Sequence, residues 1–317
     1  MPPLPTEQQH TDQVGEDIKT TLTYWHSPPN TEITIDLRDP TPGTAIALDN
    51  LIALQKQHAV TIHDIRATLS QYIISRNGFQ YISDQILAPA PAPEYDGNTP
   101  WDTKTALSTL LPRTEGLVRK LFKDPRRILV YAHRIRESNN PSTSASAFAP
   151  PIHLVHADFT PAGARNHLRS VISPSEYDAL SNSNERTRIV ALNTWRPLGR
   201  VYQDPLALCD VLSTKEEDFI TTRFVFGDGW VEGARMRVRG GQRWVYCSGM
   251  RVGDVIGFVQ GGFTLGGCGC EEQSDNDEEK DWWKSIVAHS AFKIPGVDPE
   301  LEKRGRRSLE VGVFVFI

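Results

Sequence analysis

The 317-residue sequence has few cysteines, no excess of positive charge and no long apolar run. Its four cysteines do not suffice for the disulfide framework of a secreted protein, so we expect a location in the reducing cytosol. Lys and Arg number 34 against 39 Asp and Glu, which leaves no basic excess for a nucleic-acid backbone. No apolar run reaches the roughly 20 residues of a transmembrane helix, and the polar N-terminus lacks a signal-peptide core. We therefore expect neither a nucleic-acid partner nor membrane association.

Several common catalytic and metal-binding motifs are also missing. The glycine-rich stretch at residues 261–267 lacks the G-K-[ST] ending of a phosphate-binding loop. No G-x-S-x-G nucleophile elbow is present. Cys268 and Cys270 lie close together, but a structural zinc site needs a second pair of ligands. We interpret that segment as a loop.

Negative charge is concentrated in one segment, residues 271–281. Seven Asp and Glu and one Lys give it a charge of −6, so the remainder of the chain carries +1. Runs of like charge between ordered segments are commonly solvated loops, and this is our interpretation. A functional patch is the alternative, and a loop that gates a nearby site is a further hypothesis.

Short strands separated by turns dominate the pattern. Apolar runs predict strands at residues 127–133, 152–159, 188–192, 221–226, 243–247, 255–259 and 308–317. Recurring leucines predict a helix at 105–122 that Pro112 divides in two, and residues 174–181 predict a short helix. Many short strands with helices near the N-terminus are typical of an antiparallel sandwich or barrel with a helical elaboration.

The composition predicts one domain preceded by a tail. Residues 1–18 are polar and proline-rich, which favours a flexible tail. Residues 19–317 are then a single domain, in which 19–150 form an α/β elaboration and 151–317 form most of the β core.

The segment HLVHADFT contains the most informative pair of side chains. His156 and Asp158 lie two apart on a predicted strand, so they project from the same face. Together they offer two of the three ligands of a 2-His-1-carboxylate metal site. His-x-Asp is also frequent by chance, and a polar pair at a sheet edge is the alternative. A third ligand must come from an adjacent strand, and His289 is the best candidate.

A second candidate site opens the last predicted strand. Arg306 and Ser308 share a face there, whereas Arg307 points the other way. A guanidinium and a hydroxyl together form a good receptor for a carboxylate, because the planar fork can bind both oxygens. The alternative is a solvated basic turn in the sequence KRGRR.

The order His-x-Asp, distant His and Arg-x-Ser is that of Fe(II)/2-oxoglutarate oxygenases on a double-stranded β-helix. The chain resembles the fungal hydroxylase/desaturase family that includes gibberellin desaturase and relatives of a cephamycin-methoxylation component. The resemblance covers roughly residues 20–317. The segments that carry it are YAHRIRES, HADFT, NTWRPL, DPLALCD, AHSAF and RRSLEV.

The resemblance implies a mainly β fold with an α elaboration, built on a jelly-roll, cupin-like double-stranded β-helix core. It implies Fe(II), 2-oxoglutarate and O2 as cofactors, with Fe(II) held by His156, Asp158 and His289. Arg306 and Ser308 would bind the distal carboxylate of 2-oxoglutarate. Arg196 would bind 2-oxoglutarate or an acidic substrate, or alternatively form an ion pair with Asp204 or Asp210. The residues implied to contact the substrate are Tyr131, Arg134, Asn193 and Trp195.

The implied function is oxidation of an unactivated C–H bond of a small molecule in secondary metabolism. Hydroxylation, desaturation and oxidative ring closure all remain open, and the substrate class includes amino acids and other carboxylic acids. A non-catalytic accessory binding protein on the same scaffold is the alternative. Three departures from the family pattern are expected to reshape the substrate pocket: Gly312 replaces an arginine, the stretch before Met250 that is rich in tryptophan and tyrosine is reduced to RWVYCSGM, and Gly261–Gly262 replace a polar residue. The oligomeric state is not predicted.

Overall fold

The computed structural model describes residues 15–28, 31–38, 41–84, 101–138, 149–267 and 284–317. Most of the predicted tail, the acidic segment 271–281, and Cys268 and Cys270 lie outside these ranges. The strands in chain order are β1 (Ile18–Trp25), β2 (Glu32–Asp36), β3 (Gln55–Asp64), β4 (Phe79–Ser83), β5 (Arg127–Glu137), β6 (His156–Ala157), β7 (Thr187–Pro197), β8 (Leu206–Cys209), β9 (Phe219–Phe226), β10 (Gly229–Met236), β11 (Trp244–Tyr246), β12 (Asp254–Leu265), β13 (His289–Ala291) and β14 (Arg307–Phe316).

Helices are short and lie mostly outside the sheets. The α-helices are α1 (Pro42–Ala53), α2 (Ile74–Asn77), α3 (Thr103–Leu110), α4 (Thr114–Val118), α5 (Pro161–Val171), α6 (Pro174–Ser181) and α7 (Pro299–Arg304). Short 3₁₀ helices occur at Arg66–Gln71, Val211–Ser213 and Glu216–Asp218. Among the described ranges, no helix combines the length and apolar character needed to cross a membrane.

Two sheets form the framework. The first has nine strands in the order β1-β3-β11-β8-β13-β6-β10-β9-β2, and the second has five in the order β4-β12-β7-β14-β5. Side chains from both sheets meet in one buried cluster, in which Leu206 and Leu208 of β8 lie with Trp195 of β7 and Phe258 of β12. The sheets therefore face each other across a shared interior.

The second sheet separates this interior from a helical layer. Along β14, Val311, Val313 and Val315 alternate onto one face and pack with Leu110 of α3 and Val118 of α4. Because side chains alternate along a strand, the intervening residues face the other sheet. Thr160 caps the N-terminus of α5 by accepting from the Gly163 amide, and α5 packs against β10 and β12.

The predicted fold class, a mainly β jelly roll with an α elaboration, agrees with this architecture. Pro174–Ser181 is the helix predicted at those positions, and the predicted break near Pro112 separates α3 from α4. The domain limits remain a prediction. Strands from before residue 150 join both sheets: β1, β2 and β3 the first, β4 and β5 the second.

Two predicted strands were partly wrong. Of residues 152–159, only His156–Ala157 form a ladder strand, because only these two residues pair with β10 and only His156 pairs with β13. Residues 127–133 were expected to be buried, but β5 is an edge strand and its residues 132–134 are exposed.

Candidate metal centre

His156, Asp158 and His289 converge on the inner face of the first sheet. β6 lies between β13 and β10, and His156 pairs directly with His289. Opposed residues in an antiparallel pair project from the same face. Asp158 follows two residues after His156, and the three potential ligand atoms lie within 4.8 Å of one another. The structure thus brings together the three residues that the sequence proposed as metal ligands.

A glycine on the neighbouring strand permits this arrangement. A Cβ atom on Gly233 of β10 would lie 2.6 Å from the Asp158 carbonyl oxygen and 2.8 Å from that of Ala157. Real Cβ atoms do not approach backbone oxygens so closely, so only glycine fits here without moving the segment. Gly233 therefore lets β10 pass directly beside the chain that carries Asp158.

Both imidazoles are held in one tautomer. The Nδ1 atom of His156 lies 2.7 Å from the Leu154 carbonyl oxygen, and Nδ1 of His289 lies 3.1 Å from that of Val287. A carbonyl oxygen only accepts, so Nδ1 carries the proton in each ring. The Nε2 atoms then present lone pairs 3.7 and 3.5 Å from the Asp158 carboxylate oxygens. Such backbone anchoring is the usual support of metal-binding histidines.

The charge states also suit a divalent cation. Burial, and then the nearby His289 imidazole, lower the pKa of His156, so its ring is neutral at neutral pH. Burial raises the pKa of Asp158, but the His289 and His156 rings outweigh it and bring that pKa below its ordinary value. Two imidazole nitrogens and one carboxylate are the donor set of non-haem Fe(II) sites. The residues present therefore fit this ion.

Gln260 and Tyr131 support the carboxylate. The Gln260 side-chain amide donates to Asp158 Oδ2, and the Tyr131 hydroxyl donates to Gln260 Oε1 at 3.1 Å. Gln260 was not predicted. It lies at an irregularity of β12, where the register against β7 shifts between Val259 and Gly261, so alternation along the strand does not fix the direction of its side chain.

A narrow cavity adjoins the three residues. Its further lining includes Arg136, Asn193, Trp195, Phe258, Arg306 and Glu310. Asn193 and Trp195, two of the residues implied to contact the substrate, thus line this cavity. Arg136 donates to Glu310 at 2.6 Å and to the Pro150 carbonyl at 3.0 Å, so its guanidinium is paired. Arg134, two residues earlier on the same strand, is exposed and does not line the cavity.

Arg306 offers an anion receptor in this cavity. Its side chain is only 3% exposed, its Nη1 donates to the Asp204 carbonyl at 2.7 Å, and its guanidinium lies 5.4 Å from the Trp195 ring centroid. Its Nε and the buried Ser308 Oγ have no hydrogen-bond partner among the described residues. Burial lowers the pKa of Arg306 to about 10, so it remains cationic at neutral pH. Arg306 and Ser308, two residues apart in the chain, thus offer two buried unpartnered donors that fit a carboxylate.

Arg196 does not belong to this site. It follows Trp195 on β7, so it projects from the opposite face of the sheet. There Arg196 Nη2 donates to Asp84 Oδ2 at 2.9 Å. The predicted role in binding 2-oxoglutarate is therefore wrong. The alternative of an ion pair is correct in kind, with Asp84 as partner in place of Asp204 or Asp210.

The comparisons with known proteins agree with this geometry. A family model described as an oxidoreductase/YMDC permease-like domain matches residues 22–316. The chain belongs to this family.

Curated relatives of the oxidoreductase come from fungi. The alpha-ketoglutarate-dependent dioxygenase tstK of Talaromyces stipitatus is 25% identical over 88% of this chain and 92% of that protein. The gibberellin cluster GA4 desaturase of Gibberella fujikuroi is 22% identical over 96% of each. The dioxygenase phiK of a fungal species is 26% identical over 60% of this chain, which spans 63% of that relative's length. These relatives confirm the predicted family and enzyme class, a 2-oxoglutarate-dependent dioxygenase. Together with the group formed by His156, Asp158 and His289, they agree with the predicted cofactors Fe(II), 2-oxoglutarate and O2.

A solved structure shows the same fold. The iron and alpha-ketoglutarate-dependent endoperoxidase NvfI superposes with a TM-score of 0.68 at 20% identity, over 95% of this chain and 98% of that one. This likeness confirms the predicted double-stranded β-helix fold of the oxidoreductase.

Proposed function

We propose that the oxidoreductase oxidises an unactivated C–H bond of a small carboxylic acid in secondary metabolism. The observation that carries this proposal is a cavity that joins two kinds of site. On one side are two imidazole nitrogens and a carboxylate within 4.8 Å of one another. On the other is Arg306, a buried arginine whose Nε is unpartnered among the described residues. A metal site and a carboxylate receptor in one cavity support a metal-dependent reaction with an oxo acid as cosubstrate.

Each residue has a defined part in this proposal. His156, Asp158 and His289 hold the metal, and bound Fe(II) supplies the activation of O2 that side chains cannot provide. Arg306 and Ser308 hold the distal carboxylate of 2-oxoglutarate by charge and hydrogen bonds. Trp195 and Phe258 line the cavity and exclude water from the reacting atoms.

Arg235 supports an anionic substrate. It pairs with His156 across β10 and β6, so both project from the same face. Its guanidinium lies 5.7 Å from the Trp25 ring centroid, and its Nε is buried without a hydrogen-bond partner among the described residues. Burial lowers the pKa of Arg235, whereas the Asp158 charge raises it. A cation held next to the ligands in this way suits a carboxylate on the substrate.

The metal and cosubstrate roles are tested by anaerobic addition of Fe(II) and 2-oxoglutarate. We expect a weak visible charge-transfer band in the wild type and its loss in His156→Ala. Absence of the band in the wild type, or its survival in the variant, would contradict the assignment. A band without succinate release in air would instead favour the accessory binding protein.

The substrate class is tested with a panel of small acids, amino acids and their methyl esters. We expect acids to stimulate succinate release more than the matched esters, and Arg235→Gln to abolish that preference. Mass and NMR spectra of the product then distinguish hydroxylation from desaturation and ring closure. Equal stimulation by acids and esters would rule out recognition of a carboxylate.

A further inference from the structure

A continuous hydrogen-bonded relay reaches the proposed metal ligand Asp158 from an edge strand. Tyr131 of β5 donates to Gln260 Oε1 at 3.1 Å, and Gln260 Nε2 donates to Asp158 Oδ2. The relay crosses from β5 to β12 and then to the segment after β6. It therefore connects the second sheet to a ligand carried by the first.

Gly312 provides the space for the tyrosine. A Cβ at Gly312 would lie 2.5 Å from two ring carbons of Tyr131 and 2.7 Å from its hydroxyl oxygen. The register between β14 and β5 shifts between Gly312 and Val313, so Tyr131 lies at an irregularity of the ladder. Gly312 pairs with Asn193 across β14 and β7, and Asn193 lines the cavity. The ring therefore lies against the cavity face of β14.

Aromatic neighbours hold the ring in place. The Tyr131 ring lies edge-on to His167 with centroids 4.7 Å apart, and Phe314 lies at the same distance on a tilted plane. Such packing fixes the direction of the hydroxyl. Burial, followed by the Asp158 charge, raises the pKa of Tyr131, so the hydroxyl remains a donor at every physiological pH.

The direction of each hydrogen bond follows from these facts. Because the Tyr131 hydroxyl faces Gln260 Oε1, the amide nitrogen of Gln260 must face Asp158. The reversed amide would place an oxygen against a carboxylate oxygen. Gln260 is thus locked in the one orientation that restrains rotation of the carboxylate.

We propose that Tyr131 and Gln260 are positioning residues that orient Asp158 for the metal, and that Gly312 is required because it makes room for Tyr131. The proposal rests on the proposed function, in which Asp158 is a ligand. It replaces the expected role of Tyr131 as a substrate contact with one exerted through Gln260. Partners of metal ligands typically change metal affinity by about 10–100-fold when removed.

The test measures metal affinity directly, by anaerobic titration with Mn(II) followed by electron paramagnetic resonance. Tyr131→Phe keeps the ring and removes only the hydroxyl, so we expect roughly 10-fold weaker binding with a small change in Tm. Tyr81→Phe is the matched control, since Tyr81 is also a partly buried tyrosine whose hydroxyl contacts Met250 Sδ instead. We expect it to bind Mn(II) like the wild type.

A double-mutant cycle tests the part played by glycine. Gly312→Ala displaces the Tyr131 ring, so as a single substitution it should weaken Mn(II) binding. Added to Tyr131→Ala, it should cause no further loss of Mn(II) affinity. Additive effects would overturn the proposed coupling. Equal Mn(II) affinity of wild type and Tyr131→Phe would overturn the positioning role alone. A wild type that binds no Mn(II) or Fe(II) would overturn the proposed function together with it.

Discussion

At the scale of the residue, the hydrogen-bond partners of a few buried donors decide which side chain can bind a ligand in the cavity. Arg306 donates from Nη1 to the Asp204 carbonyl, and its buried Nε has no hydrogen-bond partner among the described residues. Its neighbour Arg307 points the other way and donates to the Trp101 carbonyl and Thr103 Oγ1. Two adjacent arginines thus have separate tasks, one proposed for a ligand and one for the anchoring of α3.

This contrast gives a matched pair of substitutions. Arg306→Lys retains the charge but cannot serve both the Asp204 carbonyl and a carboxylate, so we expect about 10–100-fold weaker binding of 2-oxoglutarate. Arg307→Lys should leave that affinity unchanged. Titration of the charge-transfer band with 2-oxoglutarate measures both. An equal loss of 2-oxoglutarate affinity in the two variants would mean that the substitutions act by disturbing the fold and not by removing a ligand contact.

The two arginines proposed for 2-oxoglutarate show how far the sequence could be used at this scale. The alternation of side chains predicted that Arg306 and Ser308 share a face, and each has a buried polar atom without a partner among the described residues. The same rule separates Arg196 from Asn193 and Trp195, but it could not be applied because the predicted strand ended at residue 192, whereas β7 continues to Pro197. The partner of Arg196 was not predictable, since Asp84 lies 112 residues away in the chain.

At the scale of the element, Asp84 joins three parts of the fold. It lies directly after β4, accepts from Arg196 of β7, and accepts from Arg113, which precedes α4, at 3.0 Å. Burial raises the pKa of Asp84, but the two arginines outweigh it and hold that pKa below its ordinary value. The helical layer is thereby fastened to the outer face of the second sheet.

Removal of this carboxylate should be costly. Asp84→Asn leaves the buried Arg196 guanidinium without its counter-ion, and breaking a buried pair in this way costs about 3–5 kcal/mol. Urea denaturation measures the free energy of unfolding. Asp36→Asn, which removes the exposed partner of Arg38, should change it little. A similar small change in both variants would show that Asp84 does not fasten these elements.

The limits of helices and strands were predictable where residues next to one another in the sequence determine them. The helix Pro174–Ser181 has Ser173 as its N-cap and proline at its first turn, and its limits were predicted correctly. The helix Pro161–Val171 has the same signals in Thr160 and Pro161, yet it was missed. For β5, the apolar run did not reveal its position at an edge, because edge and centre differ only in the strands that lie beside them.

At the scale of the whole molecule, buried carboxylates make the stability of the fold depend on pH. Asp204 is 2% exposed and lies 3.1 Å from His153 Nε2 and 3.0 Å from Lys293 Nζ. Burial raises its pKa, but the hydrogen bonds to its neighbours outweigh this and bring the pKa well below its ordinary value. The pKa of Asp84 is also lowered. Both carboxylates therefore favour the folded state while they are ionised.

Acid should weaken the fold through these two groups. Their contribution is complete above the unfolded pKa of about 3.9 and is lost as pH falls through the lower folded pKa values. We expect the Tm of the wild type to fall steeply below about pH 4. The variant Asp84→Asn/Asp204→Asn should start from a lower Tm and depend less on pH in this range. Parallel curves for the two proteins would exclude these groups as the cause.

The position of β14 has a consequence for synthesis of the protein. This strand lies between β5 and β7 and pairs with both along most of its length, although it follows every other strand in chain order. While the ribosome is still producing the intervening segments, the facing edges of β5 and β7 have no partner and remain open to wrong pairing. The second sheet, and with it the cavity, can close only once β14 has emerged. We therefore expect nascent chains that lack β14 to depend on chaperones, and native packing of the second sheet to follow the emergence of this strand.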